Sequence, residues 1–135
     1  MSEFLMPYVS GVFTPSLKFG GNSVGQTGTF NGYYTLIGNR CFFNLEISLT
    51  AKGSSTGTAT ITGLPFPNLN STNNRVACAA EMEVMASVTA IMAYIGPNGS
   101  AVNLFNFTGS TVAVLTEANF NNTSDMMISG SYPIS

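Results

Sequence analysis

Histidine is absent from the chain. That removes the commonest general base and metal ligand, and with it Ser- or Cys-dependent hydrolysis on a His-assisted scheme. What titratable chemistry remains lies in six carboxylates, two thiols and four basic side chains. Glu81 and Glu83 stand two apart, so on a strand they share one face with about 7 Å between side-chain origins, a separation a retaining glycosidase could use. Carboxylate pairs of this kind are far more often a solvated strand face, and the chain is read as a non-enzyme. Glu46, Glu117 and Asp125 are isolated in the sequence. A calcium site from Asp125 and Asn carbonyls would lack any EF-hand spacing. No catalytic residue, cofactor or metal ligand is therefore expected. Five N-x-S/T tripeptides, starting at Asn70, Asn98, Asn106, Asn121 and Asn122, mean little without a secretory route. Ligand platforms for a sugar would have to come from Tyr8, Tyr33, Tyr34 or Phe42, each more readily read as core or interface, and Trp is absent.

The elements that would position these residues are strands. In RCFFNLEISLTAK, residues 40–52, Cys41, Phe43, Leu45, Ile47, Leu49 and Ala51 alternate with Asn44, Glu46, Ser48, Thr50 and Lys52. A period of two over twelve residues means one long strand with a buried and a wet face. Phe42 is the exception, a large apolar side chain on the wet face, and is a candidate for contact with another chain or a neighbouring loop. Gly32 to Ile37 forms the preceding strand, joined by the hairpin dipeptide Gly38-Asn39. Further strands are expected at Thr14–Phe19, Thr58–Thr62, Arg75–Ala86, Thr89–Ile95, Ala101–Phe107, Thr111–Leu115 and Met126–Ile134. Helix propensity in AAEMEVMA competes with strand alternation over Arg75–Ala86, and the alternation is preferred. Gly63 to Pro67, GLPFP, cannot be a central strand, and its Leu64 and Phe66 are expected to plug one end of the fold. Residues 68–74 and the polar NNTSD at 121–125 read as loops. Few plausible helices remain, so the expected fold is all-β: an antiparallel two-sheet β-sandwich of about 8–9 strands.

With 135 residues the chain is one domain. Residues 14–135 would form the sandwich. Residues 1–13 would be an N-terminal docking arm carrying Phe4, Leu5, Tyr8, Val9 and Phe13. Charged residues make up 7% of the chain, against about 25% in typical domains. The net charge of −2 is too small to mark a binder of nucleic acid or of membrane surfaces. Polarity comes instead from fifteen Ser, fifteen Thr and fourteen Asn. A surface so poor in charge does little to keep copies apart, which favours an oligomer. No apolar run is long enough for a bilayer, and MSEFLMPYVSG lacks the form of a signal peptide, so synthesis and assembly in a cytoplasm are expected, with Cys41 and Cys78 as reduced core thiols.

The runs TPSLKFGG at 14–21, GYYTLIGNRCFFNLEISLTAKGSSTGTATITGLPF at 32–66 and TEANFNNTSDMMISGSYPI at 116–134 resemble a small β-sandwich domain of tailed-bacteriophage virion proteins. That domain occurs at the C-terminal ends of trimeric tail fibres and in capsid decoration, or cement, proteins. The resemblance implies a jelly-roll-like fold, a homotrimer, for which Phe42 is then the candidate trimer contact, and a place on the virion surface, with assembly in the host cytoplasm. It brings no catalytic residues. A short arm in front of a compact domain favours decoration, with the major capsid protein as partner. The alternative is a receptor-binding tip, with tail or baseplate proteins and a host surface receptor as partners.

Overall fold

The computed structural model describes residues 8–134. Ten strands follow one another: β1 (Tyr8–Phe13), β2 (Ser16–Phe19), β3 (Thr27–Ile37), β4 (Arg40–Ala51), β5 (Ala59–Thr62), β6 (Val76–Met85), β7 (Ile91–Ile95), β8 (Val102–Phe107), β9 (Val112–Val114) and β10 (Phe120–Pro133). A single turn of 3₁₀ helix, Glu117–Asn119, precedes β10. Every pairing is antiparallel. The all-β antiparallel class is thus as the alternation implies, with ten strands instead of eight or nine.

The division into two sheets is not what the hydrogen bonding gives. The strands form one sheet in the order β1-β3-β4-β10-β6-β7-β8-β5-β2, with β9 added to β8. Strand β6 makes this possible by serving two neighbours: Ala79 to Met85 pair with β10, and Val76 to Cys78 pair with β7. The sheet bends there, and its two wings curl towards each other. Strands β1 and β2 lie at opposite ends of the order, yet only Thr14 and Pro15 connect them. Phe13 and Ser16, the facing ends of the two strands, are three residue steps apart and so about 11 Å apart at most. The two edges of the sheet must therefore come together, and a curled half-barrel replaces the expected jelly-roll sandwich.

The wings share one core. Cys41, Phe43, Leu45, Ile47 and Leu49 of β4 and Met126, Ile128 and Tyr132 of β10 face Leu17, Phe19, Ala59, Ile61, Ala93, Ile95, Val102 and Leu104 of the other wing. Phe19 meets Phe120 across the interior at 5.2 Å between ring centroids. Along β4 the inward and outward positions alternate as the sequence pattern dictates. Gly38 takes φ +60°, the left-handed value that the first position of a type II′ hairpin needs, and pairs Ile37 with Arg40. Leu64 joins the core and Phe66 packs against it, edge-on to Tyr34 at 5.5 Å, while Tyr132 Oη donates to the Phe66 carbonyl at 2.8 Å. The loop after it is held by buried Asn68, which donates to the carbonyls of Asn74 and Gly96 and accepts from Asn74 Nδ2.

Two segments depart from the sequence reading. Tyr8–Phe13, expected as an arm for a partner, lies along β3 for its full length as an edge strand. It is docked on its own chain. Phe4 and Leu5 lie outside the described residues. The polar run 121–125, expected as loop, belongs to β10. It is held at a register shift between Phe120 and Asp125, where Ser124 Oγ and Asn121 Nδ2 both donate to the Val84 carbonyl, at 2.7 and 3.0 Å. Side chains take over there from the interrupted ladder.

Candidate functional site

The side chains that β3, β4, β10 and β6 turn away from the core fall into rows fixed by strand register. One row reads Asn31, Glu46, Met127, Glu81; its neighbour reads Thr29, Ser48, Asp125, Glu83. Glu46 and Asp125, isolated in the sequence, thus join the Glu81–Glu83 pair on one face. The next row is Tyr33, Asn44, Ser129, Ala79, and the one beyond it is Thr35, Phe42, Ser131. Small side chains at Ala79 and Ser129 leave a trough of about 500 Å³, walled by Tyr33, Glu46, Glu81 and Met127.

This face is short of compensating charge. The Glu81 carboxyl is held above its ordinary value, through loss of solvent and through the neighbouring Glu83 and Asp125. Ser48 Oγ donates to Asp125 at 2.9 Å. Glu46 and Glu81 flank Met127 from the two adjoining strands, so their backbones are roughly 10 Å apart. Among the described residues, no group of three or more His, Cys, Asp or Glu could hold a metal ion.

The outer face of the other wing is built differently. Register places Lys18, Thr60, Asn103, Tyr94 and Ala77 in one row across β2, β5, β8, β7 and β6. Val114, Phe105 and Met92 form the next. Tyr94 stacks on Phe105 with centroids 5.4 Å apart and planes 11° from parallel, and the Arg75 guanidinium lies 5.5 Å from the Tyr94 ring centre. Val112, Val114, Met92 and Phe107 are exposed around this stack.

Of the residues singled out from sequence, Phe42 is exposed on the acidic wing. It shares a smaller hollow of about 160 Å³ with Tyr33 and Asn44. Tyr8 and Val9 are exposed on β1, whereas Phe13 packs against the core. Cys41 and Cys78 are free thiols on β4 and β6, with β10 between them, roughly 10 Å apart by strand spacing and beyond bridging distance. Burial pushes Cys78 up to about 11, and Cys41 is raised by the same cause. Asn106, the start of one N-x-T tripeptide, is buried and accepts from the amides of Thr89 and Ala90 at 2.8 and 3.1 Å. The sequence reading missed the acidic face as a unit, and missed the Arg75–Tyr94–Phe105 stack. Both depend on register between strands far apart in the chain.

Among the described residues, no helix is long and apolar enough to cross a membrane. No family model and no curated protein matches the chain. Among solved structures, the fold is similar to that of the Dettilon tailspike protein, with a TM-score of 0.79 and 20% identity over 95% of this chain. The match covers 24% of the tailspike, so the chain spans about a quarter of that protein's length.

Proposed function

We propose that this chain is a structural module of a bacteriophage tail. It assembles as a homotrimer at the virion surface and contributes to attachment to the host cell, acting by binding and not by chemical conversion. The observation that carries the reading is the likeness of nearly the whole chain to part of a tailspike. A surface of hydroxyls and amides with few charges supports an oligomer. Absence of His and the placing of four carboxylates on an open sheet face support binding over catalysis.

Capsid decoration, preferred from the sequence, gives way to the tail. It rested on an N-terminal arm free to reach a capsid protein, and residues 8–13 of that arm are spent on the chain's own sheet edge. The partners in the tail reading are other copies of the chain, neighbouring tail or baseplate proteins and a host surface receptor. Cofactors, nucleic acid and membrane insertion have no part in it.

The test is competition. Purified protein at saturating concentration, added to host cells before the phage that encodes it, should lower adsorption at least tenfold. Unchanged adsorption at saturation would contradict the attachment role.

A further inference from the structure

Every described acidic residue except Glu117 lies on the outer face of β3-β4-β10-β6, as Glu46, Glu81, Glu83 and Asp125. Glu117 is turned to the Gly57 amide. The outer face of the opposite wing carries only basic charge, from Lys18 in β2 and from Arg75 beside Tyr94, while the two remaining cations sit at the ends of β4 and are engaged away from the trough, Arg40 with Ser131 and Lys52 with the carbonyls of Glu117 and Phe120. Within one subunit the two do not meet, since Glu81 lies six residues beyond Arg75, about 20 Å along an extended chain. Both faces also expose large apolar side chains: Tyr33, Phe42 and Met127 on one, Met92, Phe107, Val112 and Val114 on the other.

From this partition we infer that the two outer faces mate between copies of the chain, the acidic trough of one receiving the Arg75–Tyr94–Phe105 stack of the next. The inference rests on the trimeric reading above and names its interface. The trough walls supply carboxylates at Glu46 and Glu81 with the Tyr33 ring beside them. These are the groups a guanidinium pairs with, by charge and by stacking. Arg75 is already ordered on an aromatic ring, so little side-chain freedom is lost on docking. Exposed aromatic, Met and Arg side chains are those that anchor protein interfaces. Self-pairing of the acidic face would set four carboxylates against four, and self-pairing of the basic face would oppose Arg75 to Arg75. Both are repulsive, which selects the unlike pairing. Contacts between unlike faces are heterologous; they close into a ring of three when successive copies turn by a third of a revolution, and otherwise run on as an open filament.

Sedimentation of the full chain tests this with charge reversal at exposed positions. Wild type should run as a trimer. Arg75→Glu alone, and Glu46→Lys with Glu81→Lys in one chain, should each run as monomers with an unchanged far-UV spectrum. Mixed one to one, each variant offers the other two matched faces, one native and one charge-swapped, so unlike chains should associate into complexes larger than the monomer, whereas a closed ring of three would have to set two like chains side by side. All three substitutions in one chain should restore the trimer. As a second measurement that needs no charge reversal, Arg75→Cys mixed with Glu81→Cys should give an oxidised cross-link between unlike chains and little between like chains. A wild-type trimer whose variants remain trimeric, or a mixture that stays monomeric, would overturn the interface while leaving the trimer intact. Monomeric wild type would overturn both.

Discussion

Val84 sits in β6 at φ +58°, a left-handed backbone that β-branched residues adopt only under strain. Its side chain is exposed, and its carbonyl serves Asn121 and Ser124 at the register shift. Strain is thus kept for the sake of the register shift and not for packing. Val84→Asn, which accepts this conformation more readily, should raise unfolding stability by about 0.5–1 kcal/mol in urea titration. A loss would mean that the valine side chain contributes a contact. Cys78, with its thiol pushed up to about 11, should react with an aromatic disulfide reagent at pH 8 at least about 100-fold more slowly than a free cysteine, and faster once urea unfolds the chain. Fast labelling of the folded protein would contradict its burial. At this scale the sequence was legible where one strand decides the outcome: inward Cys41 through Leu49 and outward Phe42 follow from alternation alone. It was opaque for Glu46 and Asp125, whose neighbours are set by pairing with residues some eighty positions away.

Among the elements, the hairpin at Gly38-Asn39, the non-strand GLPFP and the strand over Val76–Met85 all follow local rules. Strand β1 does not, because an apolar segment next to a glycine looks the same whether it docks on its own sheet or on a partner. What holds β1 is a reciprocal arrangement. The Phe13 ring lies over Gly32, where an added Cβ would come within 2.7 Å of it, and the Tyr34 ring lies over Gly11, where an added Cβ would come within 2.9 Å of it. Aromatic cover of strand glycines of this kind fixes register. Gly32→Val should displace Phe13 and remove hydrogen-exchange protection from residues 8–13, with core strands β4 and β10 still protected. Unchanged protection in β1 would show that pairing with β3 suffices without the ring. The start of β10 escaped the sequence reading for a related reason: NNTSD has loop composition, and it is side-chain bonds to the Val84 carbonyl, the Lys52 amide and Ser48 that keep it in the sheet.

For the whole molecule, the all-β antiparallel class was legible because twelve residues of alternation require a covering layer and the chain offers no helix to supply one. Whether that layer is a second sheet or the same sheet curled over was not legible. It depends on β6 exchanging partners at Cys78 and on Thr14-Pro15 bringing two edges together. The curl leaves two outer faces of opposite net charge on one small body, and the function proposed above would use them for joining to copies of the chain and to a host surface. The most direct measurement is to locate the chain on purified virions by antibody labelling and electron microscopy. Label confined to the host-facing end of the tail, with copies in multiples of three, is the predicted result. Dense label over the capsid shell, or none on the particle, would contradict it.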